Sequence, residues 1–401
     1  MLTFRYRIYP SKRQQTKLNE HMKLSKQAYN FLLEKAKENY KQNKKSLSKY
    51  DMNNLLLNLK KESPEYQKLH SQVFQNISDR LSEAFSNFFR RLKERKQGKK
   101  VKTGFPRFKQ YTISITYPQS GFCITKLNKP YLSKIGIISL KLDRNLKGNP
   151  RILTIKKSPS GKWHISIACD ISKEGFVSNN KPIAGLDAGL QNFATLSDGT
   201  KIENPRFLNI YLPKLRQMQK LFSRKMKRSK NRLKTKLKVA LLHEKIDNCR
   251  KDFLHKLSHR LTNSYSLIAI EKLRITSMLK NSYLSRSITD ASWASFMTML
   301  CYKAESAGCR VIAINPKDTS KKCSNCGYLQ NMLLHKREYN CPFCNLSLDR
   351  DANAAKNILN VALESCYAAG HAVKACGERA STSDVMPKAS YFNEAGTIYP
   401  L

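Results

Sequence analysis

Two cysteine pairs near the C-terminal end constrain this chain more than any other feature. The sequence reads CSNCG from Cys323 and CPFC from Cys341, and 14 residues separate the two CxxC pairs. That spacing is typical of two knuckles that close one tetrahedral zinc site. We therefore predict one structural Zn²⁺ ion, held by Cys323, Cys326, Cys341 and Cys344.

An acidic residue follows the cysteines closely and opens a helix. Asp351 stands four residues before the first member of an apolar helical face that consists of Ala355, Ile358, Leu359, Ala362 and Leu363. Its carboxylate therefore projects from the packing face of the helix. Asp351 either caps the helix N-terminus or binds a cation, and other buried carboxylates decide between these two interpretations.

Two further acids lie in apolar runs. Asp187 is the only charge in PIAGLDAGL, residues 182–190, and Glu271 follows four apolar residues in SLIAIEKL, residues 266–273. Short continuous apolar runs are typical of strands buried on both faces, where an unpaired carboxylate costs several kcal/mol or becomes protonated. Each acid alone also fits a strand end exposed to water. Together the three acids fit a ribonuclease-H-like nuclease site, in which carboxylates hold two Mg²⁺ (or Mn²⁺) ions about 4 Å apart.

The order of these motifs resembles a known family. GLDAGL, IAIEKL, TSKKCSNCG, CPFC and DRDANAAKNI resemble the split RuvC nuclease and zinc ribbon of TnpB, the RNA-guided nuclease of insertion sequences and a relative of type V CRISPR effectors. The resemblance covers residues 1–365 and implies that Asp187, Glu271 and Asp351 are the magnesium-binding catalytic acids. Asn345 stands where the family usually has glycine, and asparagine tolerates the left-handed conformation well.

The charge of the chain points to a polyanionic partner. Its 401 residues carry a net charge of +45, which favours nucleic acid. The competing interpretation, an anionic membrane, is disfavoured because no apolar stretch approaches about 18 residues. MLTFRYRIYP has no apolar segment of a signal peptide, and seven scattered cysteines outside the zinc pattern are typical of free thiols. We therefore expect a cytoplasmic protein, and the resemblance implies that it is prokaryotic and nucleoid-associated.

The N-terminal part predicts helices inserted into a β-rich domain. Leu2 to Tyr9 alternate as a strand does, and Ser11 to Gln14 fit a capping box. Helices are expected to about residue 40, over 52–61 and over 66–95. Strands are expected over 113–117, 136–142, 152–156 and 163–171, the last two flanking an SPSG turn. YPSKRQQ, AYNFLLEKA and GFPRFK resemble further TnpB segments.

The predicted fold class is a multidomain α+β protein. A small β-barrel, the wedge, is expected over 1–10 and 99–175, with a helical recognition domain over 11–98. A RuvC-like, RNase H-like α/β nuclease domain is expected over 181–318 and 348–365. The zinc ribbon over 319–347 is inserted in it and braces the helix that bears Asp351. A disordered tail is expected over 366–401, because its composition is polar and poor in apolar residues.

Candidate nucleic-acid contacts fall into three groups. Residues 214–238 hold twelve Lys or Arg and no acid, so we predict one amphipathic helix there whose cations contact phosphate. Its candidates are Arg224, Lys225, Lys227, Arg228, Lys230 and Arg232. Arg107 and Lys109 of GFPRFK are expected to contact guide RNA. The resemblance implies that the recognition helices read the motif beside the target, with candidates Tyr50, Lys68, Gln72 and Gln75. His255 and His259 are spaced like a metal pair, but without a third ligand they fit ordinary helix residues better.

The resemblance implies an RNA-guided DNA endonuclease that cuts by two-metal hydrolysis. Its partners would be a guide RNA derived from the transposon end and double-stranded target DNA, bound by a monomer. Two alternatives stay open at this point, an RNA-independent transposase or resolvase of RNase H fold and a compact type V effector. A repressor that has lost its acids is disfavoured, because all three acids are present.

Overall fold

The computed structural model describes residues 1–171, 180–333 and 336–368, in two compact units, Met1–Lys173 and Glu174–Leu401. The first unit opens with a strand, β1 (Leu2–Tyr9), followed by three helices, α1 (Lys12–Asn43), α2 (Lys49–Glu62) and α3 (Ser71–Lys96), with a 3₁₀ helix over Pro64–Lys68 before α3. Seven strands follow: β2 (Ser114–Tyr117), β3 (Phe122–Ile124), β4 (Pro130–Leu132), β5 (Gly136–Ile137), β6 (Ser139–Lys141), β7 (Asn149–Lys157) and β8 (Trp163–Asp170).

The strands of the first unit form an antiparallel sheet in the order β2-β7-β8-β1-β6, with a separate small sheet of β3-β4-β5. One hydrophobic core joins the main sheet to the helices and contains Ile8 of β1, Leu32 of α1 and Leu81 of α3. The predicted strand over 2–9, the Ser11–Gln14 capping box and the SPSG hairpin are confirmed. The three helices are therefore inserted in the sequence between strands of a single sheet.

Some predicted boundaries in this unit are wrong. The helix expected from residue 66 begins at Ser71, because Leu69 and His70 are extended and the His70 side chain accepts a hydrogen bond from the N–H of Gln72. The strand expected over 136–142 is interrupted at Ile138, whose N–H donates to Pro130 instead.

The second unit alternates strands and helices. Its elements are β9 (Ile183–Asp187), β10 (Asn192–Leu196), β11 (Lys201–Glu203), α4 (Phe207–Arg224), α5 (Lys230–Ser264), β12 (Leu267–Glu271), α6 (Ile275–Met278), α7 (Ser285–Ala291), α8 (Trp293–Ala307), β13 (Arg310–Ile314), β14 (Glu338–Asn340), β15 (Ser347–Asp349) and α9 (Arg350–Ala368). The main sheet has the order β11-β10-β9-β12-β13. Within it β9, β12 and β13 are parallel, whereas β10 and β11 are antiparallel.

Both faces of this sheet are covered, as the continuous apolar runs predict. Ile268 and Ile270 of β12 pack in one core with α5 and α8, whereas Leu267 and Ala269 pack on the other face against Ile358 and other residues of α9. Helix α9 lies very close to β9. A Cβ added to Gly185 would lie 2.0 Å from the carbonyl oxygen of Ala355, so only glycine permits this approach.

The single basic helix expected over 214–238 is wrong. Helix α4 ends at Arg224 and α5 begins at Lys230, and the two helices pack against each other through Leu215, Leu242 and Ile246. The break falls within the seven-residue gap in the apolar spacing, where Ser229 caps α5 by accepting from the N–H of Arg232. We call α4, α5 and the connecting residues 225–229 the basic hairpin.

Two predicted segments lie largely outside the described residues. The mostly polar stretch over 172–181 is typical of a linker, and its residues 172–179 lie outside the described ranges, as do residues 369–401 of the expected disordered tail. Residues 366–368, which were assigned to that tail, are the last residues of α9. None of the helices in the described ranges is long and apolar enough to span a membrane.

Candidate functional site: a four-cysteine cluster beside an edge of carboxylates

The four predicted zinc ligands come together. Their sulfur atoms all lie within 4.8 Å of one another, with Sγ–Sγ distances of 3.6 Å for Cys323 and Cys344 and 3.5 Å for Cys326 and Cys341. Four thiolates around zinc stand about 3.8 Å apart, given Zn–S bonds near 2.3 Å, whereas a disulfide requires about 2.05 Å. The cluster therefore fits a zinc ion. In the described ranges it is the only group of three or more Cys, His, Asp or Glu residues whose ligand atoms all lie within 4.8 Å of one another, and neither His255 nor His259 belongs to it.

Turns at each knuckle aim the sulfur atoms inward. Gly327 and Asn345 have φ angles of 78° and 55°, which is the left-handed conformation that glycine and asparagine adopt best. The N–H of each donates back to the first cysteine of its pair, Cys323 or Cys341. A backbone N–H at Leu346 lowers the pKa of the Cys344 thiol to about 6. At Cys344 the local backbone thus favours the thiolate that a metal requires.

The three predicted acids stand at neighbouring positions of the second unit. Asp187 ends β9 and Glu271 ends β12, and these strands are adjacent and parallel with Leu186 opposite Ile270. Asp351 lies in the first turn of α9, which packs on both strands. Each of the three residues is half-buried. We call these three carboxylates the acid edge.

The electrostatics of the acid edge reflect this proximity. Burial, together with the charges of Glu271 and Asp351, raises the pKa of Asp187 to about 7, against a lowering by the charge of Arg350. Burial also raises the pKa of Glu271. Carboxylates that repel each other in a partly desolvated site favour a proton or a cation.

Cations and a cap fix the start of α9. Asp349 accepts hydrogen bonds from the N–H groups of Asp351 (3.0 Å) and Ala352 (3.2 Å), and its other oxygen lies 2.6 Å from Nζ of Lys201. The guanidinium of Arg337 lies 3.9 Å from a carboxylate oxygen of Asp351. The helix cap is therefore Asp349, and the interpretation of Asp351 as a simple cap is wrong.

Sequence reasoning missed three polar residues beside the acid edge. Thr319, Asn353 and Asn357 are 6%, 0% and 3% exposed. Their hydrogen bonds connect α9 to the backbone beside the cysteine cluster, and connect that backbone to the Glu271 side chain. A signal was present in the spacing of Asn353 and Asn357, which stand four apart and therefore lie on the same face of the helix. Buried amides need partners, so this spacing indicates a second packed neighbour.

The cations of the basic hairpin cluster at its tip. Arg224, Lys225, Lys227, Arg228 and Lys230 are all exposed there. Arg232 differs from its neighbours, because its guanidinium donates to the carbonyl oxygens of Phe222 (3.0 Å) and Lys225 (2.8 Å) and stacks on the Phe222 ring. Arg232 thus holds the turn of the hairpin, and the other five remain candidates for phosphate contact.

The candidates in the first unit are also placed unequally. Tyr50, Gln75 and Arg107 are exposed, and Gln72 is half-buried at the start of α3. Lys68 pairs with Glu20 at 2.6 Å. Nζ of Lys109 lies 3.6 Å from the centroid of the Tyr29 ring, and burial together with the Arg80 charge lowers the pKa of this lysine to about 8. Lys68 and Lys109 therefore already have protein partners.

These features define a class, a strongly basic mixed α/β protein with a cysteine-based metal site beside an edge of carboxylates. Three family models match the chain. Residues 166–282 match OrfB_IS605, described as a probable transposase, and residues 293–358 match the Cas12f1-like TNB domain. Residues 1–45 match the helix-turn-helix domain of the OrfB_IS605 group.

Full-length relatives identify the family. The "Putative RNA-guided DNA endonuclease InsQ" of Escherichia coli (strain K12) is 31% identical over 395 residues, covering 94% of this chain and 94% of the relative. The "Putative RNA-guided DNA endonuclease" of Streptomyces pristinaespiralis is 32% identical over 384 residues, covering 94% of this chain and 90% of the relative. The chain belongs to the OrfB family of IS605-type elements, known as the TnpB family.

A solved structure also aligns with most of the chain. It is described as "Cryo-EM structure of the Cas12f1-sgRNA-target DNA complex", and the alignment covers 90% of this chain and 98% of that chain at 18% identity. The TM-score is 0.35, which is too low to establish a shared fold.

Proposed function

We propose that the chain is an RNA-guided DNA endonuclease of a mobile element. The observation that carries this proposal is the alignment of 94% of the chain with two relatives of that name, and the convergence of three acids agrees with it. The proposed partners are a guide RNA derived from the transposon end and double-stranded target DNA that lies next to a short motif. Base pairing would select the target, and the protein would read duplex shape and the motif.

The acid edge is the proposed catalytic site. Asp187, Glu271 and Asp351 would hold two Mg²⁺ ions, which supply an activated water and stabilise the leaving oxygen of the phosphodiester. Unlike the four cysteine sulfur atoms, the carboxylate oxygens of these three acids do not all lie within 4.8 Å of one another. Two ions about 4 Å apart span a wider set of oxygens than one ion does, so this wider spacing is compatible with a two-ion site.

The proposed domain roles follow the chain. The antiparallel sheet of the first unit would form the wedge β-barrel over 1–10 and 99–175, and α1 to α3 would form the recognition domain over 11–98. The parallel-centred sheet would be the RuvC-like nuclease domain over 181–318 and 348–365. The zinc ribbon over 319–347 stands between β13 and α9 in the chain. Its four thiolates would hold one Zn²⁺ with a structural role.

The basic hairpin is the proposed phosphate-binding element of the second unit. Five exposed cations at its tip have no acidic residue among them in residues 224–230. Such a cluster gains most from a polyanion, because bound counterions are released when phosphates replace them.

The decisive experiment expresses the protein together with its native flanking DNA and sequences the RNA that copurifies. The purified complex is then incubated with Mg²⁺ and a plasmid library whose target matches the guide. We expect a discrete RNA and guide-matched cutting. Asp187→Ala and Glu271→Gln should each reduce the cutting rate by more than about 100-fold, since loss of a group that merely supports a metal ligand already costs 10–100-fold.

A matched control separates chemistry from charge. Glu203→Gln makes the same change as Glu271→Gln at an exposed position of β11 in the same sheet, and it should leave cutting unchanged. Cutting at a fixed site without RNA would move the protein to the transposase hypothesis. Bound RNA without cutting would indicate a repressor, and both results would overturn the proposal.

A further inference from the structure

Two buried asparagines fasten helix α9 to the base of the cysteine cluster. Nδ2 of Asn357 donates to the carbonyl oxygens of Thr319 (2.8 Å) and Lys322 (2.6 Å). Nδ2 of Asn353 also donates to Lys322 (2.8 Å), and its Oδ1 accepts from the N–H of Ser324 (2.9 Å). Lys322 and Ser324 flank Cys323, so these amides hold the backbone on both sides of a zinc ligand.

The same network reaches one of the proposed catalytic acids. The hydroxyl of Thr319 donates to Oε1 of Glu271 at 2.6 Å, while its carbonyl oxygen accepts from Asn357. A hydrogen bond to a carboxylate is strong and directional, so it fixes one oxygen of Glu271 and leaves the other in a defined orientation. Each step of the path from the cysteine cluster to Glu271 is a hydrogen bond, and the three side chains that make it, Thr319, Asn353 and Asn357, are buried.

A purely structural role is the competing explanation. Buried carbonyl groups require donors wherever they lie, and the two asparagines satisfy such groups at the base of a metal-bound loop. That role would affect folding and zinc retention alone. The Thr319 hydroxyl goes beyond it, because its partner is a side chain of the acid edge.

We propose that Thr319, Asn353 and Asn357 are positioning residues through which the cysteine cluster, when it holds zinc, sets the geometry of the acid edge for divalent cations. The inference rests on the proposed function, since it takes Glu271 and Asp351 to be metal ligands. Groups that orient metal ligands through hydrogen bonds typically change metal affinity or activity 10–100-fold when removed.

The test uses Thr319→Val, which keeps the shape of the side chain and removes its hydroxyl, in the full protein–RNA complex. Fe²⁺ serves as the probe, because Fe²⁺ in a Mg²⁺ site reduces added hydrogen peroxide to hydroxide and hydroxyl radicals that cut the adjacent polypeptide, and ascorbate regenerates Fe²⁺. With Fe²⁺ kept below its own half-saturating concentration, the concentration of Mg²⁺ that halves the fragments from the acid edge measures Mg²⁺ affinity without any DNA cutting. We expect this concentration to rise about 10–100-fold in Thr319→Val. The Mg²⁺ concentration for half-maximal DNA cutting should rise equally.

Three variants serve as controls. Thr319→Ser keeps the hydroxyl and should restore the wild-type Mg²⁺ concentration. Thr262→Val removes another buried hydroxyl, which bonds only to carbonyl groups of α5, and should change nothing. Zinc content should remain one ion per chain in each. A Thr319→Val complex with full zinc and wild-type Mg²⁺ competition would overturn the inference.

A second arm measures the coupling directly. Removal of zinc by a chelator should weaken Mg²⁺ competition in the wild type, and it should weaken it much less in Asn357→Leu, where the connection is already broken. Equal effects in both proteins would mean independent sites and would sink the inference. Failure of the proposed function looks different, because Glu271→Gln would then show the same acid-edge fragments as the wild type.

Discussion

The acid edge and the basic hairpin are built in opposite ways. The acid edge joins residues 84 and 80 positions apart (271 − 187 and 351 − 271), and its side chains are half-buried among hydrogen bonds. The basic hairpin joins two consecutive helices, and the five candidate cations at its tip are exposed. The first region depends on the position of each atom, whereas the second depends on the sum of its charges.

This difference determines what a substitution can do in each region. A shift of about 1 Å at a catalytic group can cost 100-fold in rate, so the acid edge should be sensitive to changes that do not touch a carboxylate. Exposed cations interact with phosphate nearly independently, so the hairpin should respond in small and similar steps.

The largest expected effect comes from Gly185→Ala. The new Cβ would lie 2.0 Å from the carbonyl oxygen of Ala355, so α9 must move away from β9. This movement also increases the distance between Asp351 and Asp187. We expect a loss of about 3 kcal/mol of folding free energy and a melting temperature lower by roughly 10 °C. Calorimetry measures this. Gly104→Ala, where a Cβ meets nothing within 4 Å, is the matched control, and equal melting temperatures would refute the close packing.

The next effect is a pH dependence that belongs to the acid edge. Folding raises the pKa of Asp187 from 3.8 to about 7, so ionisation of this carboxyl opposes folding. Its contribution to stability is intact below about pH 4 and is lost as the pH rises to about 7. In buffer without divalent cations, Asp187→Asn should therefore become more stable than the wild type across this range. Thermal melts at a series of pH values measure the difference, and a pH-independent difference would contradict the raised pKa.

Removal of one helix cap in each region tests the comparison, because the two substitutions should lower stability equally. Asp349→Ala removes the cap of α9 and Ser229→Ala removes the cap of α5. Each should cost about 1 kcal/mol of stability. Only Asp349→Ala should also slow cutting, because it frees the turn that bears Asp351. Single-turnover rates measure this, and a similar slowing by Ser229→Ala would show that the hairpin also needs defined geometry.

The smallest effect is expected from Lys227→Ala at the hairpin tip. Removing one phosphate contact should weaken binding uniformly across target sequences and reduce the log–log salt slope by about 0.9. Binding titrations at several salt concentrations measure the slope. Arg232→Ala should leave the slope unchanged and lower the melting temperature instead, because Arg232 bonds to the turn. A reduced salt slope with an unchanged melting temperature in Arg232→Ala would show that Arg232 binds phosphate.

Local sequence patterns were sufficient to predict those features that depend on residues close together in the sequence. The spacing of the cysteines predicted the cluster that the structure contains, and apolar runs predicted the strands that end in Asp187 and Glu271. The break in the basic region was visible as a gap between Met226 and Leu233. Cations continue on both sides of this gap, so the charge pattern alone predicts one continuous helix.

Long-range partners were not predictable in the same way. Thr319 bonds to a residue 48 positions away and Asn357 bonds to one 38 positions away, and no periodicity encodes such pairs. Lys109 was assigned to nucleic acid from its charge, but the fold brings Tyr29 beneath its ammonium group. A side chain's charge is written in the sequence, whereas the neighbour that neutralises or buries it is not.

The order of segments along the chain also bears on how the protein is made. The ribosome delivers the basic hairpin and the first two acids well before α9, which supplies Asp351 and covers β9 and β12. A nascent chain therefore acquires its affinity for polyanions before its acid edge is complete. Translation that stops before residue 350 yields a basic polypeptide with two of the three carboxylates, and synthesis of α9 completes the set.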